Sequence, residues 1–330
     1  MEEVVLKKER KLWIDALRGV AMILVVYGHC VKGWTEYYVF DGGIKMPLFF
    51  IISAYLFNPR SGNQLFFFKN LFWKLLFPWM VLGLFPYTHL LDRFLSLVEG
   101  KIFWFMPCLI ISEILWFYIH KFCKTSTQII VAGLLITSIG FLMNHYQVLH
   151  YARIDNAFVV QAFFVLGYVI REYEETLSHY WLMTVPCSLV TYIVLGVGIL
   201  YFWPEEIIDV GLNQYPNVAY VSVMIVIGCM GLFVLFRKAN IHPSWLVYIG
   251  QNTLFIYIMH YQGRNVFNLI ASQVPQLQAL PMQLFGFIQA VFALCLCCIL
   301  VFPINQYVPI IVGKRKLIVG KRIEKCNNSM

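Results

Sequence analysis

The composition of this 330-residue chain excludes an ordinary water-soluble domain. Hydrophobic residues make up 60% of it and charged residues 13%, whereas a soluble domain has about 25% charged residues. The net charge of +8 could suggest nucleic acid, but in so apolar a chain it is better explained by basic loops on the inner side of a membrane. The nine cysteines are scattered apart from Cys295, Cys297 and Cys298 in one apolar run, and none has a metal-ligand spacing, which indicates apolar packing and no metal site.

Ten stretches are candidates for membrane helices, each of which needs about 20 mostly apolar residues. They cover about residues 12–31, 44–58, 71–91, 103–120, 128–143, 157–171, 181–202, 218–236, 245–262 and 284–302. The first contains Arg18 and is followed by no small-residue cleavage site, so it is interpreted as a retained helix and not a signal peptide. The sequence predicts an all-α, polytopic bundle in a single domain, with a membrane part at about 12–312 and a basic tail at 313–330.

The distribution of basic residues supports this count. Seventeen of the 25 Lys and Arg residues fall in segments on one side, six fall on the other and two lie within helices. The richer side is the cytoplasmic one in membrane proteins. Both termini are therefore predicted to be cytoplasmic, in a multi-pass protein that fits a bacterial inner (plasma) membrane best. The segments at about 203–217 and 263–283 are predicted to be loops on the outer side.

Ionisable residues inside the first helix are the leading candidates for function, because charge within a bilayer is costly and is usually retained for a purpose. Arg18 and His29 are eleven residues apart, which places them within about 20° of each other and about 16 Å apart along the axis. Asp15 precedes Arg18 by one turn and could pair with it. Alone, Arg18 could be a snorkelling residue and His29 a core histidine, but their common face suggests one wall of a tunnel.

Two further helices carry polar groups. Glu113 lies near the middle of the fourth helix, where it must be protonated, paired or in contact with water, and a structural tie between helices is the alternative. Thr253, Tyr257, His260 and Arg264 form a stripe on the ninth helix. Such a stripe favours an inward-facing surface, although Tyr257 and His260 could each belong to the interfacial belt.

Basic and small polar residues near the third and second helices complete the set. Lys74, Lys69 and Arg60 are predicted to form a cytoplasmic basic group that attracts phosphates, although Lys74 could simply snorkel to the inner surface. Ser53 is most simply a helix-packing residue. A hydrogen bond from Ser53 to His29 is the functional alternative.

Several segments together resemble the acyltransferase family 3 membrane proteins, and most closely their fucose 4-O-acetylase-like and polysaccharide O-acetyltransferase branch. The matching segments are Ile14-Asp15-Ala16-Leu17-Arg18-Gly19 running on to Gly28-His29, Met46-Pro47-Leu48-Phe49-Phe50 through Ser53-Ala54-Tyr55, Trp104-Phe105-Met106-Pro107-Cys108-Leu109, Phe163-Phe164-Val165-Leu166-Gly167-Tyr168, and Gly250-Gln251-Asn252-Thr253-Leu254-Phe255-Ile256-Tyr257 closing at His260. They occur in the family's order over about 12–262. The chain departs from the pattern at Lys45, where the family often has His, and at Ala54, where it often has Gly.

The resemblance implies acyl transfer, usually of acetyl from acetyl-CoA, to a hydroxyl of a carbohydrate or lipid-linked glycan. It implies no bound cofactor, since acyl-CoA is a co-substrate, and the partners are the two substrates and the lipid bilayer, with no nucleic acid. His29 is then the predicted base, and Arg18, paired with Asp15, is predicted to bind the donor's phosphates or to stabilise the oxyanion. The predicted substrate- or donor-binding residues are Lys45, Ser53, Lys69, Lys74, Trp104, Glu113, Tyr257 and His260.

Two other classes of function remain open from the sequence. A polysaccharide export transporter or flippase would also use charge within the membrane, but transporters are often built from internal repeats, which this chain lacks. A scaffold for a polysaccharide synthase would leave the common face of Arg18 and His29 without an explanation. The acyl group, the sugar and the oligomeric state are not determined by the sequence.

Overall fold

The structure is a computed structural model. It describes residues 10–31, 33–58, 64–85, 89–148 and 151–314. Within these ranges the regular structure is helical, apart from a single β-bridge between Asp209 and Gln214. The predicted all-α class is therefore confirmed. Arg60 and nearly all of the predicted basic tail lie outside the described residues.

The helices follow one another with short connections. In the first half they are α1 (Leu12–Cys30), α2 (Thr35–Gly42), α3 (Lys45–Leu56), α4 (Gln64–Leu71), α5 (Phe77–Leu84), α6 (Leu90–Val98), α7 (Phe105–Phe122) and α8 (Ser126–His145). In the second half they are α9 (Ile154–Val159), α10 (Gln161–Glu172), α11 (Glu174–His179), α12 (Trp181–Phe202), α13 (Val218–Lys238), α14 (Ser244–Gln251), α15 (Thr253–Ser272), α16 (Pro275–Gln278) and α17 (Met282–Tyr307).

Eight helical segments of the described chain are long and apolar enough to cross a membrane. They are Leu12–Cys30, Thr35–Leu56, Gln64–Leu84, Phe105–Phe122, Ser126–His145, Trp181–Phe202, Val218–Lys238 and Met282–Tyr307. The pair Tyr151–Val159 and Gln161–Glu172, bent by 42°, makes a ninth if it is one broken span. The chain is therefore a multi-pass membrane protein, as predicted.

The count differs from the predicted ten at the predicted ninth helix. The structure breaks the 245–262 stretch at Asn252, whose backbone (φ −119°, ψ 17°) is not helical, and α15 then continues to Ser272. The predicted loop at 263–283 was therefore wrong over its first ten residues. Its polar character suggested a loop, but Gly263, Phe267 and Ala271 are buried at helical spacing, so packing within the bundle maintains the helix.

Between α4 and α5 the chain widens into a π-helix at Phe72–Leu76. Pro78 has no N–H to donate to the carbonyl of Lys74, so the α-helical bond is missing there. The backbone N–H of Phe77 instead donates to the Phe72 carbonyl, one residue further back than in an α-helix. Local widening of this kind is frequent at functional sites, and here it sets the position of Lys74.

Helix α1 lies at the centre of the bundle, where α14 packs very closely against it. A Cβ at Gly250 would lie 1.7 Å from the carbonyl oxygen of Asp15, and one at Gly19 would lie 2.3 Å from that of Leu246. Only glycine permits so close an approach of two helix backbones. The approach fixes the depth and rotation of α1, and with them the positions of Asp15 and Arg18.

Candidate active site

A cavity of about 710 Å³ opens between α1, α3, α4, the π-helix, α7 and α15. This volume is within the range of about 300–1,000 Å³ that is usual for small-molecule sites. Its walls are mostly aromatic and aliphatic, and its polar lining residues are Arg18, Ser53, Asn58, Asn70, Lys74, Glu113, Thr253 and Tyr257. Three elements distant in sequence, α1, the π-helix and α7, thus place two cations and one carboxylate in one apolar chamber.

Glu113 is the centre of the polar contacts in this cavity. Its carboxylate lines the cavity together with Ser53 and interacts electrostatically with Lys74 and Arg18. The hydrogen bond from Ser53 to His29 that was the predicted alternative is not found among the described residues, since Ser53 lines the cavity and His29 does not. Two cations against one carboxylate leave the described part of the chamber with a surplus of positive charge, which suits an anionic ligand.

Arg18 is held at the cavity wall through a network around Asp15. The predicted Arg18–Asp15 pair is present but long, at 3.9 Å from nitrogen to oxygen. Asp15 is bound more closely by Arg10, at 2.5 and 3.0 Å, and by the side-chain amide of Gln251 at 3.2 Å. Because Asp15 is shared in this way, the guanidinium of Arg18 remains partly available to a ligand in the cavity.

His29 lies at the other end of α1, among residues of α15. Its ring stacks on that of His260 with 5.1 Å between centroids and 28° between planes, and its Nδ1 is 3.1 Å from the hydroxyl of Tyr261. Arg264 donates to the His29 carbonyl at 2.9 Å, where a cation stabilises the C-terminal end of the helix. His260 is fully buried, and its Nε2 has no hydrogen-bond partner among the described residues.

Two aromatic residues lie between the cavity and this histidine pair. Tyr257 lines the cavity, and its ring is 6.4 Å from that of His260. Phe103 packs on both Tyr257 and Tyr261, with centroids 5.8 and 6.2 Å apart. Phe103 has a φ of +50°, a strained conformation for a bulky residue of the kind that concentrates at functional sites.

Comparison with known families decides the class of protein. The model of a family described as an acyltransferase domain matches residues 11–302. The chain belongs to this acyltransferase family. The match runs from the residue before α1 into α17, so it includes both the cavity and the histidine pair. Comparison with curated proteins and with solved structures gives no match.

Most of the predicted site residues of this acyltransferase fall into two groups. The first group lines the cavity and consists of Arg18, Ser53, Lys74, Glu113 and Tyr257. Asp15 belongs with this group as the partner of Arg18, although it does not line the cavity itself. A second group surrounds His29 beyond it and contains His260 and Lys45.

Lys45 belongs to the His29 group through its position beside α1. Its ammonium is 2.5 Å from the buried carboxylate of Asp41 and would be 3.1 Å from a Cβ at Gly28. Lys45 also interacts electrostatically with His29. The location of Lys45 therefore does not support a role for this residue in binding a ligand in the cavity.

Two predicted residues lie outside both groups. Trp104 packs against the loop after α12, since a Cβ at Gly211 would be 2.6 Å from its indole ring. Lys69 is exposed on α4, next to the cavity-lining Asn70. Their predicted roles in binding stay predictions.

The sequence prediction missed Arg10, Asn70, Phe103, Gln251 and Tyr261. Tyr261 follows Tyr257 by four residues, so a search for aromatic pairs at helical spacing would have found it. Arg10, five residues before Asp15, appeared to be only one of several basic residues at the N-terminus. No pattern in the sequence indicated Phe103, because its position depends on an unusual backbone conformation.

Proposed function

We propose that this membrane acyltransferase moves an acetyl or similar acyl group from acyl-CoA to a hydroxyl of a cell-surface or lipid-linked carbohydrate. The observation that carries the proposal is the arrangement on α1. Arg18 lines the apolar cavity, and His29, eleven residues further along the same helix, contacts a second histidine and a tyrosine. The resemblance to the fucose 4-O-acetylase-like branch supports a carbohydrate acceptor. The plasma membrane is the proposed location.

The cavity suits an acyl-CoA donor that enters from the cytoplasmic side. Arg18 and Lys74 provide positive charge for phosphate groups, and Lys69 lies exposed five residues before Lys74 on the same helical segment, Gln64–Leu84. The aromatic and aliphatic walls suit the flexible arm that carries the acyl group. A transporter would need no such thioester site, and membership of an acyltransferase family supports transfer over export.

The proposed chemistry at His29 is removal of a proton from the acceptor hydroxyl. If the Tyr261 oxygen accepts from Nδ1–H, the Nε2 atom of His29 is free to act as the base. The hydroxyl oxygen then bonds to the acyl carbon, the carbon–sulfur bond breaks, and the proton held by His29 goes to the CoA thiolate. The positive charge that forms on the imidazole during this step is stabilised by the Tyr261 oxygen.

The test is transfer of label from radioactive acetyl-CoA to a membrane glycolipid extract by the purified protein. His29→Ala should abolish transfer, while His242→Ala, which alters an exposed histidine between α13 and α14, should retain it. Both variants should melt at the wild-type temperature. A fully active His29→Ala protein would remove the proposed base, and a well-folded wild type without transfer to varied acceptors would favour the export function.

A further inference from the structure

The chain that follows α17 forms a tight turn which packs against the bundle. Pro309–Val312 make one turn of 3₁₀-helix, and the Lys314 N–H donates to the Pro309 carbonyl at 2.9 Å. Val312 is 6% exposed. The segment Pro309–Lys314, which we name the strap, therefore has a fixed conformation and a buried anchor.

The ammonium of Lys314 is bound by two side-chain amides. Its Nζ is 2.7 Å from Oδ1 of Asn252 and 2.9 Å from Oδ1 of Asn305. Asn305, on α17, also donates to Asn252 at 2.9 Å. The three side chains thus form a closed triangle in which both bonds from Lys314 are assisted by its charge.

Asn252 is the residue at which the predicted ninth helix breaks. The triangle therefore lies at the break between α14 and α15, which we name the joint. Its side-chain amide donates to the Tyr248 carbonyl at 2.7 Å and it is 3% exposed. The residue before it, Gln251, binds Asp15, and the residue after it, Thr253, lines the cavity. Displacement of Asn252 would therefore move the cavity wall on the α15 side.

The same strap touches the opposite wall through Gly313. This residue has a φ of +72°, and a Cβ there would lie 2.5 Å from the carbonyl oxygen of Lys74, so only glycine fits. That carbonyl is the one released by Pro78, and the Lys74 side chain lines the cavity. One six-residue segment thus contacts the π-helix on one side and the joint before α15 on the other.

We infer that the strap sets the separation of the cavity walls that carry Lys74 and Thr253, and that Lys314 is a positioning residue for an anionic ligand in the cavity. The inference rests on the proposed function for the identity of that ligand, a CoA thioester. Lys314 is not part of the cavity lining. It acts on the ligand through Asn252, and the adjoining Gly313 acts through Lys74.

The first measurement is the acetyl-CoA dependence of transfer in the purified full-length protein. Lys314→Met should raise the KM for acetyl-CoA about tenfold and change kcat less than about twofold, since the lost interaction orders the binding site and does not touch the reacting atoms. Lys124→Met is the matched control, because among the described residues the ammonium of Lys124 binds only the carbonyl of Lys121, at the exposed end of α7. Equal KM values for Lys314→Met and wild type would overturn the inference.

A second measurement does not depend on the donor. Hydrogen exchange of the backbone amides should become faster in Lys314→Met at both 72–78 and 250–256, with the rest of the bundle unchanged. If wild type does not bind acetyl-CoA but both segments respond, the proposed donor is wrong and the strap is supported. Unchanged exchange, a response in one segment only, or faster exchange throughout the protein would each contradict the strap.

Discussion

Tyr261→Phe tests the chemistry at His29 with a minimal change in shape. The ring of Tyr261 lies 5.0 Å from that of His29 and 4.3 Å from that of His260, and phenylalanine retains both contacts. The variant loses only the hydroxyl, which is 3.1 Å from Nδ1 of His29. Any effect on rate is therefore attributable to that hydrogen bond and not to repacking.

The expected magnitude follows from the charge that forms on His29 during transfer. A hydrogen bond to a charged group contributes about 1.5–3 kcal/mol, and about 1.4 kcal/mol corresponds to a tenfold change in rate. We therefore expect kcat to fall about tenfold to a hundredfold. The KM for acetyl-CoA should change little, because Tyr261 is not among the residues that line the cavity.

The assay is transfer of radioactive acetyl to the glycolipid extract, with Tyr146→Phe as the control. Tyr146 is 70% exposed just after the end of α8 and does not line the cavity, so its hydroxyl should be dispensable. A Tyr261→Phe protein with the kcat of wild type would refute the role of the hydroxyl. A rise in KM with unchanged kcat would instead indicate that Tyr261 contributes to donor binding.

Three further predictions concern the other parts of the site. Gly250→Ala should lower the melting temperature, because the new Cβ would lie 1.7 Å from a backbone oxygen of α1. Overpacking of this kind typically costs about 1–3 kcal/mol. An unchanged melting temperature would contradict the close contact between α1 and α14. Arg18→Lys should weaken acetyl-CoA binding about tenfold in calorimetry, since lysine cannot form the two parallel bonds of a guanidinium with a phosphate, and unchanged affinity would exclude Arg18 from donor binding. Burial, followed by the charge of Arg10, lowers the pKa of Lys314 to about 8 from 10.5. Between these pH values the unfolded chain binds more protons, so stability should rise with pH in wild type relative to Lys314→Met, and parallel melting curves from pH 8 to 10.5 would refute this.

The sequence by itself determined the class of fold and the leading residues of the site. Several apolar stretches of about 20 residues in one chain indicate a bundle of membrane helices, so the class of fold followed from the composition. The spacing of Arg18 and His29 placed both on one face of α1, because a single helix has a regular geometry that spacing alone specifies. The stripe from Thr253 to Arg264 was predicted on the same grounds, and the structure places it against the cavity and His29.

Only the tertiary structure decided which of these residues line the cavity and which surround His29. Arg18 lines the cavity while His29 lies beyond Tyr257 and Phe103, a separation that depends on how α1, α7 and α15 pack. Ser53 shares the cavity with Glu113 and not with His29, since neighbours from different helices are decided by packing and leave no periodic signal. The break at Asn252 and the strap around Lys314 likewise depend on contacts between residues 53 and 62 positions apart, which local sequence patterns cannot specify.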